Sequence, residues 1–369
     1  MSYHKRLIGL CFLCLTGLLN SCNMTESNKE TTLFVGTYTG SGSEGIYKFN
    51  FNTTTGELTG KTLAAAIDNP SFLSISPDRK TLYAVGEVDD FIPNSGAIIT
   101  YHIKDSILEK VDSKPTYGEN PCYVGVSEDG SYVAVANYTG GNVAIYQTKE
   151  NGDLNGEPQI IDHKVLDTSL TAHAHKASFL NNELFVADLG LDRLKKYSLK
   201  DQSFTPSQQP ELVLAEGAGP RHFTFSANEE FLYVINELNS TLTLFQKEDD
   251  KYFVQQTLKT TAPDFKGESF CADIHLSPDG KFLYGSNRGE NTIVVFKVDG
   301  VTGKLETLGR ESVKGDWPRN FSLDPTGNYL LVANQRSNNI VVFKRDVEEG
   351  TLTFLSRVDL PNPVCLEFY

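Results

Sequence analysis

The chain has 369 residues, of which 39% are hydrophobic, 22% charged and 11% aromatic, a composition that excludes a disordered or fibrous polymer. Its length exceeds the ~100–200 residues of an ordinary compact domain, leaving two domains or one large closed architecture such as a barrel or propeller. Forty-seven acidic residues against 33 basic ones give a formal net charge of −14, which repels phosphate backbones and excludes nucleic acid as a partner.

The first element in chain order is a leader. Lys5 and Arg6 precede an apolar run from Leu7 to Leu19, and a polar Asn/Ser/Thr/Glu/Lys segment follows Cys22. That is the layout of a signal peptide, and the run is too short to span ~30 Å of hydrocarbon at 1.5 Å per residue. Leu19-Asn20-Ser21-Cys22 resembles the bacterial lipobox. The resemblance implies a lipoprotein signal over 1–21, lipidation at Cys22, a flexible tether over 22–31, and an exported, membrane-anchored protein on the periplasmic side or cell surface. An ordinary cleaved signal with a chance cysteine is the alternative. Cleavage before Cys22 removes two basic residues and no acidic one, so the acidity belongs to the folded part. Cys122, Cys271 and Cys365 remain, an odd number without metal-site spacing, and they read as buried free thiols.

From residue 32 onward the chain repeats. The segments 76–86, 127–137, 226–236, 277–287 and 324–334 each place a polar turn before an apolar strand that ends in a small or amide residue. Weaker copies lie at 33–37 and 181–188. The strand ends Thr37, Gly86, Asn137, Asp188, Asn236, Asn287 and Asn334 are 47–51 residues apart. Before each turn lies a short strand, often opened by proline as at Pro70, Pro121, Pro220 and Pro318. A third strand follows each turn, and then a ragged fourth. Seven four-stranded units at this period predict an all-β, seven-bladed propeller over 32–369. The first unit lacks its opening strand, while Asn362-Pro363-Val364-Cys365-Leu366-Glu367-Phe368 is an opening strand without a unit. The C-terminus is therefore expected to join blade one and close the ring.

In such a ring the innermost strands line a central channel, and polar residues at their starts converge on one mouth. The residue after the opening proline is Val364, Ser71, Cys122, His175, Arg221, Ala272 and Arg319 in turn. The residue just past the second strand is Tyr38, Glu87, Tyr138, Leu189, Glu237, Arg288 and Gln335. Arg221, Arg319 and Arg288 form a basic cluster around Glu237 on a strongly acidic protein, which suits an anion. The competing reading is that these arginines only pair with Glu237 and Asp273 inside a polar channel. His173 and His175 lack a third ligand at suggestive spacing, so no metal is expected. His222 and His275, by strand alternation, point to the opposite face from Arg221. Serine-hydrolase, nucleotide and dinucleotide motifs are absent from the sequence.

Across the repeats, Phe34-Val35-Gly36-Thr37-Tyr38, His173-Ala174-His175, Gly217-Ala218-Gly219-Pro220-Arg221-His222, Asn236-Glu237-Leu238-Asn239-Ser240, Ala272-Asp273-Ile274-His275 and Pro318-Arg319-Asn320-Phe321 resemble the seven-bladed lactonase family. That family comprises propeller-type 6-phosphogluconolactonases and related muconate-lactonizing cyclases. The resemblance implies hydrolysis of a sugar lactone, 6-phosphogluconolactone or a related aldonolactone, without a cofactor. It puts the catalytic set on His175, Arg221, Glu237 and Arg288. Glu237 is expected as general base, Arg221 as oxyanion stabiliser and His175 as proton donor, with the two proton-transfer roles exchangeable. Arg319, Asn236, Asp273 and Gln335 are expected to bind the substrate, with Arg288 and Arg319 gripping its anionic group. The export leader departs from the cytoplasmic, phosphorylated substrate, so an exported scaffold without catalysis, or a lactone-forming cyclase, stays an alternative.

Overall fold

The computed structural model describes residues 30–165 and 169–369. The signal, Cys22 and the tether up to residue 29 lie outside the described residues. Seven antiparallel four-stranded sheets make up the described chain. The first strand, Glu30–Thr37, begins two residues before the expected boundary, because Glu30 and Thr31 already pair with Asn52 and Phe51.

The ring closes as expected. Pro363–Phe368 pairs antiparallel with Glu30–Thr37, setting Leu33 opposite Phe368 and Val35 opposite Leu366. Beyond that pair, the Tyr369 N–H donates to the Thr32 carbonyl at 2.7 Å and the Thr32 N–H to the Tyr369 carbonyl at 2.9 Å. No blade is left with a broken inner edge.

Each blade is covered on both faces by its neighbours, so its second strand is apolar on both faces. Thr81–Gly86, Phe231–Asn236 and Tyr329–Asn334 are buried along their whole length. This explains why these strands read as continuous apolar runs rather than alternations. Alternate residues feed separate clusters: Leu82 and Ala84 face blade one, while Tyr83 and Val85 face blade three. The fourth strands, at the rim, are mostly exposed, as in Leu58–Ala66. Near the axis the blades pack so closely that a Cβ on Gly36 would collide with the Pro70 carbonyl oxygen. Cys122, Cys271 and Cys365 are buried free thiols in separate blades.

Two features of the innermost strands shape the channel. In six of the seven inner pairs the register shifts near the start of the inner strand, in four of them just after the opening proline, as between Pro220 and His222 or Pro318 and Asn320. A bulge re-aims the residues it contains and breaks strict alternation. His222 is therefore not turned away from the channel as alternation predicts. Its ring meets Tyr123 at 5.5 Å and His175 at 5.3 Å, on the inner strands of blades three and four. The second feature is the free inner edge, whose backbone groups are taken by side chains of the next blade. Asn320 Oδ1 accepts from the Leu366 N–H at 2.8 Å, and Glu367 Oε1 from the Ile75 N–H at 3.2 Å. Lys176 Nζ donates to the Phe223 carbonyl at 2.8 Å.

Candidate active site

The mouth of the channel is built by one repeated device. In six of the seven blades the N–H of the residue just past the second strand donates to the carbonyl of the residue just before the inner segment, which opens with proline in five of them. Tyr38 bonds Asn362, Glu87 bonds Asn69 and Tyr138 bonds Asn120, each at 3.0 Å, and Glu237 bonds Gly219 at 2.7 Å. The acceptors Asn362, Asn69, Asn120 and Gly219 all have left-handed φ, which asparagine and glycine tolerate. Trp317, the chain's single tryptophan, occupies the same place with φ of 66°, an uncommon conformation for a bulky residue. The guanidiniums of Arg336 and Arg288 lie over its ring, 3.3 and 5.2 Å from the centroid.

These anchors enclose a cavity of about 240 Å³ lined by Tyr38, Glu87, Cys122, Tyr138, His175, Glu237, Arg288 and Arg319. Glu237 Oε2 is held at 2.8 Å by Arg288 Nη2 and at 2.9 Å by Arg221 Nε, the latter out of line for a hydrogen bond. Arg288 is further fixed by the Phe270 and Cys271 carbonyls, at 3.2 and 3.1 Å. Burial pulls its guanidinium down to about 10, still charged at neutral pH. On the opposite wall Tyr38 Oη donates to Glu87 Oε2 at 2.8 Å. Arg319 lies over the Tyr38 ring at 5.2 Å and comes within 4.0 Å of Glu87. His175 is buried with no hydrogen-bond partner for Nδ1. Burial first, and the guanidinium of Arg221 next, hold its imidazole well below the usual histidine range, so it is neutral.

Of the expected site residues, His175, Glu237, Arg288 and Arg319 meet in this cavity. Arg221 does not line it. Its side chain is 2% exposed and lies behind Glu237, with Nη1 donating to the Ala272 carbonyl and to His222 Nε2. Asn236 turns into its own blade, where Nδ2 bonds Thr241 and Thr243. Gln335 sits above blade seven, its N–H bonded to the Trp317 carbonyl, and Asp273 lies deeper, bonded to His222, His275 and Asn320. Arg319 pairs with Glu87, a partner the sequence reading had not chosen. His173 stacks on Tyr138 at 4.5 Å. Its N–H bonds Asp188, whose carboxylate also holds the buried His163 at 2.7 Å and so pegs blade four.

Sequence reasoning missed Tyr38, Glu87, Cys122 and Tyr138 as members of the cavity. All four stand at the two ring positions already singled out. Selecting only cations and one carboxylate from those positions discarded them. The wall thus carries two carboxylates, Glu87 and Glu237, which balance the two guanidiniums of Arg288 and Arg319, and only Arg221 behind Glu237 adds a further positive charge.

Comparison with known proteins agrees with this architecture. Residues 32–368 match the family described as lactonase, 7-bladed beta-propeller. A 6-phosphogluconolactonase of Bacillus subtilis is 35% identical over 345 residues, covering 91% of this chain and 97% of its own. One from Formosa agariphila is 36% identical over 311 residues, covering 79% and 86%. Among solved structures, the periplasmic gluconolactonase of Pseudomonas aeruginosa superposes with a TM-score of 0.86 at 32% identity, covering 92% of this chain and 99% of that one.

Proposed function

Because this chain belongs to the seven-bladed β-propeller lactonase family and is a lactone-hydrolysing enzyme, we propose that it opens a six-carbon sugar lactone by general-base attack of water. The observation that carries the reading is Glu237, a cavity-lining carboxylate with one oxygen held by two guanidiniums. Both arginines meet Oε2, which leaves Oε1 to act as the base. It takes a proton from the attacking water, the new C–O bond forms at the ring carbonyl carbon, and the carbonyl electrons move onto oxygen. Arg288 faces the cavity and stabilises that oxyanion, which moves this role from Arg221. As the tetrahedral intermediate collapses, the C–O bond to the ring oxygen breaks and the proton returns from Glu237 to that oxygen. His175, being neutral, contributes a hydrogen bond rather than an acidic proton.

The cavity lies below the roughly 300–1,000 Å³ of drug-sized sites, which suits a monosaccharide lactone. Its lining charges balance, with Arg221 behind them, which suits an unphosphorylated lactone without barring its 6-phosphate. The leader-like N-terminus and the similarity to a periplasmic gluconolactonase favour the unphosphorylated one. The test is acid release from gluconolactone and from its 6-phosphate, with and without chelator. Glu237→Gln, His175→Ala and Arg288→Ala should each lower kcat at least ~10²-fold without chelator sensitivity. Wild-type rates in all three variants would refute the assignment. We further propose that lipidation at Cys22 anchors the enzyme outside the cytoplasm. Palmitate should label the wild type and not Cys22→Ala, and equal labelling rejects the anchor.

A further inference from the structure

We propose that Asp273 and His222 are positioning residues: Asp273 holds His222 in one tautomer, and that imidazole holds Arg221 against Glu237. The consequence for catalysis rests on the lactonase reading; the geometry does not.

Asp273 lies on the innermost strand of blade six, Phe270–Leu276, and is almost fully buried below the cavity. Its carboxylate collects donors from three blades. His222 Nδ1 is at 2.7 Å, His275 Nε2 at 3.0 Å, Asn320 Nδ2 at 2.6 Å, and the backbone N–H groups of Ile274 and Phe321 at 2.9 and 3.3 Å. A carboxylate in that setting has lone pairs only, so the proton of the 2.7 Å contact resides on His222 Nδ1.

The other end of the imidazole meets the opposite requirement. His222 Nε2 lies 3.4 Å from Arg221 Nη1, and a guanidinium has donors and no acceptor. Nε2 must therefore present a lone pair. The two contacts select the same species, the neutral Nδ1–H tautomer, and exclude both the other tautomer and the imidazolium. Burial, and then the neighbouring Arg221, push His222 down to about 3, which agrees with a permanently neutral ring. Burial raises the Asp273 carboxyl, yet the imidazoles of His275 and His222 outweigh it and hold the group well below the usual carboxylate range.

Arg221 is thus held from three sides: the Ala272 carbonyl, His222 Nε2 and Glu237 Oε2. A series of two hydrogen bonds and a final ion pair runs from a buried carboxylate to the cavity-lining one. Removing charge at its buried end reverses the polarity in the middle. Asparagine at 273 can donate to Nδ1, which drives the imidazole proton to Nε2 and sets it donor against donor with Arg221. The guanidinium then has to move, and Glu237 moves with it.

Long-range ¹⁵N–¹H correlation spectra of the full folded chain should show wild-type His222 with Nδ1 protonated and Nε2 bare at neutral pH, and Asp273→Asn should exchange the two. With gluconolactone as the probe, Asp273→Asn and His222→Phe should lose ~10²-fold in kcat with little change in KM, the scale of a misplaced catalytic group. His222→Gln keeps an acceptor toward Arg221 and should retain most of the rate. A wild-type His222 carrying its proton on Nε2, or on both nitrogens, overturns the proposal. So does a folded Asp273→Asn protein with wild-type kcat, or equal losses in His222→Gln and His222→Phe. If Asp273→Asn fails to fold, the wild-type spectrum and the two His222 variants still decide. Absence of turnover on every lactone would fault the lactonase reading, while the tautomer is read without any substrate.

Discussion

Lowering the pH from 7 to 5 should cost the wild-type protein more stability than it costs a His222→Gln variant. In the unfolded chain a histidine titrates near 6.5, whereas burial and Arg221 lower His222 to about 3 in the fold. Between those values the unfolded chain binds a proton that the native state refuses, so stability rises with pH and is lost on acidification. At pH 5 the deficit is ~1.5 pH units at 1.36 kcal/mol each, or about 2 kcal/mol. The groups facing His222 do not cancel this. Asp273 stays ionised, a guanidinium such as that of Arg221 does not deprotonate, and Lys176, lowered by burial to about 8, titrates above the window. His175 acts in the same direction as His222. Glu367, pushed up by burial to about 7, acts in the opposite one, because the fold then binds a proton that the unfolded chain releases.

The wild-type slope is therefore a balance, and the difference between wild type and variant isolates His222. For ~340 ordered residues at about 2.1 cal/mol/K each, 2 kcal/mol corresponds to roughly 3 °C in Tm. Thermal melts followed by tryptophan fluorescence or circular dichroism at pH 7 and pH 5 measure it. Parallel losses in the two proteins would mean that His222 titrates as an ordinary histidine, and the buried neutral ring would be refuted.

Arg319→Ala should raise KM more for 6-phosphogluconolactone than for gluconolactone, by roughly 10–100-fold if the phosphate takes one charged hydrogen bond from it. Equal KM changes for the two lactones would show that Arg319 serves only to hold Tyr38 and Glu87. Deleting residues 361–369 removes the strand that pairs with Glu30–Thr37 and opens the ring. The truncated chain should aggregate or lose its cooperative melt, and a full-length-like melting curve would disprove closure by that strand.

The ring was legible because its cause is local and periodic. Each blade needs the same polar turn and the same doubly buried strand, so the spacing of Asn137, Asn236, Asn287 and Asn334 carries the architecture with little ambiguity. The orphan Asn362-Pro363 strand likewise had one place to go. Side-chain direction at the axis was less legible, since period-2 alternation holds only in an unbroken ladder. The bulges turn consecutive residues such as Arg221 and His222 both inward, and nothing in a single sequence marks where a bulge falls. Asn236 misled for another reason. A strand-end amide serves the turn that follows, here through Thr241 and Thr243. Glu87 escaped because a carboxylate inside a basic cluster is conspicuous, while one on the opposite wall becomes meaningful only once Tyr38 and Arg319 are seen beside it.

The location of these charges follows from how the fold is stabilised. Taking three guanidiniums and two carboxylates out of water costs several kcal/mol per ion, and their mutual attraction only partly offsets it. Such a cluster is a poor source of stability. In this chain the apolar work is done elsewhere, in seven separate clusters, one between each pair of neighbouring blades. The axis is where seven free strand edges converge, so it already requires polar side chains such as Asn320, Glu367 and Lys176 to satisfy backbone groups. A closed ring of this kind therefore concentrates buried polarity in one place and keeps it rigid on all sides. Rigid, dehydrated donors and acceptors are what stabilise a developing oxyanion, because they need not reorganise when charge appears. The same geometry that makes the channel costly to form makes its mouth suited to opening an ester.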